Sequence, residues 1–309
     1  MIEVKNLTKT YDSTVAINNL NFQINKGEIV GFLGPNGAGK TTTMKILTCF
    51  MPATSGQATI NGLSVIEHSH AIRKMIGYLP ENNPLYVEMT VHEYLTFIAN
   101  IRQIPSYLKK NKLNRVIELC DLNSVLHKHI EECSKGFRQR VGLAQALIHE
   151  PDILILDEPT VGLDPTQIME IRHLIKTLGE SATIIMCSHI LSEISATCSN
   201  VFILKKGEII ANGSPKSLTH QDKSEKTIYF ETNHDITHVQ KAFKSFSTTI
   251  LSLEKEQSST DFHRYKLQSA SDIRTQIYTS AVENKWLLRE LTMEENSLED
   301  VFIGLTKES

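Results

Sequence analysis

Gly34–Thr42 reads GPNGAGKTT and fits the pattern G-x-x-x-x-G-K-[ST], with Gly34, Gly39, Lys40 and Thr41 at the defined positions. A polyphosphate needs several N–H donors converging on one point, and side chains would block that approach. Gly34, Gly37 and Gly39 allow the close backbone passage and the unusual dihedrals, with Pro35, Asn36, Ala38 and Thr42 completing the loop. Lys40 then supplies a mobile ammonium for the β- and γ-phosphates, and the Thr41 hydroxyl a ligand for Mg²⁺. These residue types at this spacing predict a nucleoside triphosphate with its magnesium. A second group could act on it. Asp157 and Glu158 close the apolar run Ile153–Leu156, where Asp157 can hold Mg²⁺ and Glu158 can orient and deprotonate an attacking water. The plainer alternative for an Asp-Glu pair is a solvated acidic turn. His189 follows another apolar run, Thr183–Cys187, as a hydrogen-bond donor to a phosphate or as a satisfied core histidine. Tyr11 can stack on a base or serve as a structural aromatic.

Elements of the right kind surround these residues. Glu28–Leu33 (EIVGFL) reads as a buried strand, and the stretch from Thr41 to Phe50, without Gly or Pro, as a helix. Strand, glycine loop and helix are the context the motif needs, since the helix adds the positive end of its dipole to the anion site. Ile153–Leu156 is apolar at every position and reads as a central parallel strand. Its carboxyl end is where ligands gather in an open sheet. Residues 1–30 suggest a small antiparallel sheet with turns at Asn18-Asn19 and Lys26-Gly27. Thr90-Val91-His92-Glu93 is a capping box opening a helix to about Asn100, and a second helix spans about Leu108–Cys120. Residues 90–130 therefore read as a helical insertion. A third helix begins near Gly136 and stops at Pro151, residues 166–179 form another, and residues 201–213 form a hairpin turning at Lys206-Gly207.

The stretch Gly213–Lys226 is polar and reads as a linker. Beyond it the order is strand, helix, strand, strand, helix, strand (Thr227 to Thr292), which suits a ferredoxin-like unit, followed by a terminal helix Leu298–Thr306. The domain boundaries expected are thus 1–215, a linker 216–226, and a small α+β domain over 227–309. The 309 residues, 40% hydrophobic and 22% charged, suit two soluble globular domains. A net charge of −3 gives no electrostatic case for nucleic acid as a partner. Five scattered cysteines without a C-x-x-C pair suit a reducing cytosol and neither disulfides nor a zinc site. No apolar run approaches eighteen residues, so a membrane role would come through a separate partner. His68-x-His70 and His127-x-His129 lack a third local ligand.

Taken in order, these motifs resemble the ATP-binding subunits of ABC transporters over about residues 1–215. Tyr11 matches the adenine-stacking position and Gly34–Thr42 the P-loop. Glu81 stands at the Q-loop position, Cys133–Phe137 at the signature, and Ile153–Asp157 at the Walker B run. Glu158 falls on the catalytic glutamate, Val161–Asp164 on the D-loop and His189 on the switch histidine. The resemblance implies an α/β P-loop NTPase fold with an antiparallel β subdomain and a helical insertion, and ATP and Mg²⁺ as cofactors. Thr41, Glu81 and Asp157 would hold the metal. Ser134, Gly136 and Asp164 would meet the ATP held by a second subunit, in a homodimer or a heterodimer with a related ATPase. Three departures stand out: Glu81 where most members carry Gln, CSKGF for LSGGQ, and Val161 in the D-loop. GYLPENNPLY and LEDVFIGLT are most similar to exporter-like systems, including those of sodium or drug extrusion and gliding motility. The implied protein is cytoplasmic, held on the inner face of the membrane by a membrane-spanning permease docked near residues 81–105. Two alternatives compete: a soluble ABC ATPase acting on ribosomes or DNA, and a regulatory nucleotide-binding module with little turnover.

Overall fold

The computed structural model describes residues 1–221, 226–243, 250–258, 261–294, 299, 301 and 302. Two long strands open the chain, β1 (Ile2–Tyr11) and β2 (Thr14–Ile24), paired antiparallel from Ile2 opposite Ile24 to Tyr11 opposite Thr14. The reversal falls at Asp12-Ser13 and not at Asn18-Asn19. Asn19 instead takes φ 51 inside β2, where the pairing register shifts. Asparagine tolerates the left-handed backbone, so it can bulge a strand as readily as turn one.

Next come β3 (Ile29–Leu33) and α1 (Lys40–Leu47), then β4 (Ser55–Ile60) and β5 (Leu63–Ser64). The first sheet is ordered β2-β1-β4-β5. Helix α2 (Ser69–Met75), which the sequence reading does not anticipate, leads into β6 (Ile76–Leu79). Helices α3 (Val91–Ile101) and α4 (Ser106–Leu119) form the expected insertion. The Thr90 hydroxyl accepts from the Glu93 amide while the Glu93 carboxylate accepts from Thr90, so the capping box is present as read.

The chain continues through α5 (Lys135–Leu147), β7 (Ile153–Asp157), α6 (Pro165–Gly179), β8 (Thr183–Ser188) and a short α7 (Leu191–Thr197). A hairpin, β9 (Asn200–Lys205) and β10 (Glu208–Gly213), ends it. The central sheet is ordered β10-β9-β3-β8-β7-β6, with every pair parallel except the hairpin. Strands β7 and β8 are buried at every position, as expected of a parallel sheet covered on both faces. Phe22, Phe32 and Phe202, with ring centroids 5.2–5.3 Å apart, pack β2 of the first sheet onto β3 and β9 of the second. Strand β6 lies so near α5 that a Cβ on Gly77 would meet the Ala146 carbonyl oxygen at 2.2 Å.

Met1–Leu218 and Phe302 form one compact unit, and Thr219–Val301 a second. Helix α8 (Pro215–Gln221) occupies part of the stretch read as a linker. Proline suits a first helical turn because its missing N–H would have no partner there. Residues 222–225 of that stretch lie outside the described residues. The second unit comprises β11 (Lys226–Thr232), α9 (Ile236–Ala242), β12 (Ile250–Ser258), β13 (His263–Ser269), α10 (Arg274–Glu283) and β14 (Leu288–Met293). Its sheet is ordered β12-β13-β11-β14 with all neighbours antiparallel, the arrangement of a ferredoxin-like unit. Ile228, Phe230, Tyr265, Leu267, Ile277 and Trp286 belong to its separate core. Of the terminal helix read at Leu298–Thr306, the described residues 299, 301 and 302 are helical and the others lie outside the described set.

Candidate functional site

The P-loop runs from the end of β3 to the start of α1. Gly39 caps that helix at φ 103, and a Cβ there would stand 2.7 Å from the Ala16 carbonyl oxygen, so neither dihedral nor space admits a side chain. Pro35, Asn36 and Gly37 are exposed at the tip, while Gly34, Ala38 and Gly39 are buried at its base. Lys40 is buried, and its ammonium donates to the carbonyl oxygens of Gly34 (2.7 Å) and Pro35 (3.3 Å). The cation is thus held beneath the same backbone that offers N–H groups. Thr41 and Thr42 follow on the first turn of α1, both half-buried.

Asp157 ends β7 fully buried, and neither carboxylate oxygen has a hydrogen-bond partner. Burial pushes its pKa up to about 6. The nearby Thr41 hydroxyl opposes that rise, though without a hydrogen bond of good geometry to either oxygen. The charges of Glu81 and Glu158 raise it further, and Lys40 lowers it. Two orphaned oxygens in a buried place are costly unless something fills them. A divalent cation shared with the Thr41 hydroxyl and substrate phosphates fits that donor set. Glu81 is exposed just past β6, near enough to act electrostatically on Asp157.

Glu158 adopts φ 53, a left-handed backbone that costs a non-glycine residue about 1 kcal/mol or more. Its amide donates to the Cys187 carbonyl (3.0 Å), which holds the turn against β8. The turn brings the Glu158 Oε2 to 2.9 Å from His189 Nδ1. The glutamate side chain is 7% exposed and the histidine 50%, so one partner is buried and the other meets solvent. Asp157, Glu158 and His189 lie at the carboxyl ends of β7 and β8, and the loop after β3 lies at the same edge.

Ser134, Gly136 and Asp164 belong to a different cluster. Ser134 caps α5, its hydroxyl accepting from the Phe137 amide at 3.3 Å. Gly136 faces Gln167 closely, with a Cβ at 2.6 Å from the amide carbon. The Lys135 ammonium occupies the space that a Cβ on Gly162 would need. Asp164 caps α6, accepting from the Gln167 amide at 2.9 Å. Within one chain these residues serve helix starts. Tyr11 stands at the end of β1, 41% exposed, its hydroxyl donating to Met51 Sδ (3.0 Å) and its ring centroid 5.3 Å from the Lys9 ammonium.

One participant escapes the sequence reading. Glu193 on α7 is 1% exposed and accepts hydrogen bonds from the Thr160 hydroxyl (2.5 Å) and the Ser188 hydroxyl (3.1 Å). Its only sequence signal is a carboxylate four residues after His189, on a helix too short to show a periodic apolar face.

A family model described as ABC transporter matches residues 17–161. The bacitracin transport ATP-binding protein BcrA of Bacillus licheniformis is 34% identical over 315 residues, covering 99% of this chain and 97% of that protein. The linearmycin resistance ATP-binding protein LnrL of Bacillus subtilis (strain 168) is 30% identical over 311 residues, covering 99% and 98%. Among solved structures, an ATP-binding subunit of an ABC transporter superposes with a TM-score of 0.66 at 30% identity, over 72% of this chain and 92% of that one. The dimeric post-hydrolysis state of the ATP-binding cassette MJ0796, bound to ADP and Pi, gives 0.64 at 26% identity, over 69% and 98%.

Proposed function

Since the chain belongs to the ATP-binding subunits of ABC transporters and is an ATPase, we propose that it hydrolyses ATP in a head-to-tail dimer to drive a separate membrane-spanning subunit of an exporter-type system. The observation that carries this is the Glu158–His189 pair, 2.9 Å apart, on the same sheet edge as the P-loop and the buried Asp157 carboxylate, whose oxygens lack hydrogen-bond partners. In this reading the backbone of Gly34–Thr42 and the Lys40 ammonium hold the β- and γ-phosphates, and Tyr11 lies along the adenine. Thr41, Asp157 and Glu81 would hold Mg²⁺, which when bound neutralises charge building on the transferred phosphoryl group. Glu158 accepts a proton from the water that attacks the γ-phosphorus, and ADP leaves with its β-phosphate oxygen carrying the bond's electrons. His189, oriented by that carboxylate through Nδ1, turns its other ring nitrogen to the γ-phosphate.

The dimer supplies what one chain lacks. Ser134 and Gly136 sit at the N-terminus of α5, where free N–H groups and the helix dipole favour an anion. In the proposed pairing that anion is the γ-phosphate held by the partner's P-loop, with Asp164 at the seam. The two relatives named for bacitracin transport and linearmycin resistance span essentially the whole chain and support an exporter-type role. No helix among the described residues is long and apolar enough to cross a membrane. We place the chain on the cytoplasmic face, held there by its permease. A groove of about 580 Å³ lined by Phe50, Arg73, Tyr78, Ile98, Ile101 and Arg102 is the proposed seat, with Phe50 73% and Ile101 59% exposed. The test is co-purification with a polytopic membrane protein, together with its loss in Phe50→Asp. A fully active chain with no membrane partner in its native host would overturn the proposal.

A further inference from the structure

Glu193 is buried where an apolar side chain would pack at lower cost, yet it is a carboxylate. Oε2 takes both hydroxyl hydrogen bonds, while Oε1 has no partner. The two donors are informative. Thr160 lies two residues after Glu158 and opens the turn toward Asp164, where its carbonyl accepts from the Leu163 amide at 3.2 Å. Ser188 is the last residue of β8, directly before His189, and its hydroxyl also accepts from the Ile190 amide at 3.0 Å. One oxygen therefore joins the loop bearing the glutamate to the loop bearing the histidine. Among the described residues, the other side-chain hydrogen bond between these two loops is the Glu158–His189 contact itself.

We propose that Glu193 is a positioning residue that ties the Thr160 turn to the Ser188 turn and so keeps Glu158 and His189 in register. The proposal rests on reading Glu158 and His189 as the hydrolytic pair. With Oε2 and Nδ1 engaged with each other, Glu158 must offer its other oxygen to water and His189 its other ring nitrogen to phosphate, which requires a fixed spacing of the two loops. A second, buried link that does not touch substrate holds the two loops at that separation. Misplacement of such groups by about 1 Å costs up to about a hundredfold in rate.

The test uses steady-state ATPase kinetics of the full chain, with melting temperature measured alongside. Glu193→Ala leaves a buried cavity that can prevent folding, so Thr160→Val and Ser188→Ala decide. Each is expected to lower kcat about fivefold or more at nearly unchanged KM for ATP, with a melting temperature that falls modestly for the lost buried hydrogen bond but stays well above the assay temperature. Thr160→Ser, which restores the hydroxyl, should recover the rate. Because either loss breaks the same bridge, the double variant should be no slower than the worse single. Parent-like kcat in both single variants, losses that multiply, or losses accounted for by the fraction unfolded at the assay temperature would overturn the tether. Glu158→Gln serves as the control. If it turns over at the parent rate, the reading of the pair falls and the tether with it; if it is slow while Thr160→Val is not, the tether alone falls.

Discussion

Asp157 and Glu158 are neighbours in sequence with opposite environments. The aspartate is fully enclosed and its charge is disfavoured, while the glutamate turns toward a half-exposed histidine through a left-handed backbone. In the proposed mechanism that difference separates a metal-holding carboxylate from a proton-accepting one. Glu158→Gln is expected to lower kcat at least about a hundredfold while ATP affinity stays within a few fold, because the amide fills the same space and cannot accept the proton. Turnover assays beside equilibrium binding of a nucleotide analogue would check it. Glu81 offers a second test. Its negative charge adds to the upward shift of the Asp157 pKa that burial causes, so Glu81→Gln removes one proposed metal-binding carboxylate and lets Asp157 ionise at lower pH. ATP binding should persist while the Mg²⁺ and Mn²⁺ titrations of the ATPase rate shift; superimposable titrations would count against a metal role for Glu81.

At the scale of elements, β6 and the helix above it are held by two features that periodicity cannot show. Gly77 permits the approach of α5, and Gly77→Ala should destabilise the fold by about 1–3 kcal/mol because the obstructing atom is backbone and cannot rotate away. Denaturant unfolding would measure the loss. Nearby, His149 Nε2 donates to the Ile76 carbonyl (3.0 Å) while its Nδ1 is buried without a partner. Burial, with a lesser push from the Arg102 charge, drives its pKa down to about 4. Below an ordinary histidine value of about 6.5 the unfolded chain takes up a proton that the folded chain refuses. Stability from this group is therefore complete above about pH 6.5 and is lost as pH falls toward 4, a change of about 1–2 kcal/mol after allowing for its partial exposure. His149→Gln, which keeps a donor for Ile76 and cannot titrate, should flatten that part of the stability profile. Elements of eight residues or more, such as α3 to α6, were legible from spacing and caps. Of the seven-residue helices, α9 was read from its place between strands, while α2 and α7 were not, since two turns present too few apolar positions to establish a period by themselves.

For the whole molecule, the proposed dimer makes a measurable claim. In the presence of Mg²⁺ and ATP, Glu158→Gln should accumulate as a dimer in sedimentation or size exclusion, because the clamp closes and hydrolysis no longer reopens it. Adding Ser134→Glu should return it to monomer, since a carboxylate at the start of α5 would oppose the γ-phosphate of the partner's nucleotide. A dimer that persists would sink the head-to-tail pairing.

What the residues determined alone was the chemistry that depends on short spacing. The glycines of the P-loop, the apolar strand ending in Asp157-Glu158 and the capping box at Thr90 each act within one turn or one strand, so their meaning is local. The tertiary structure decided what depends on long-range packing. It set Glu158 against His189, which lie 31 residues apart, and it closed Thr160, Ser188 and Glu193 into one buried bridge. It also gave Asp164 a helix cap within its own chain and stripped Asp157 of partners. Burial and the charge of distant neighbours arise only when strands β3, β7 and β8 come side by side, and no spacing along the chain encodes them directly.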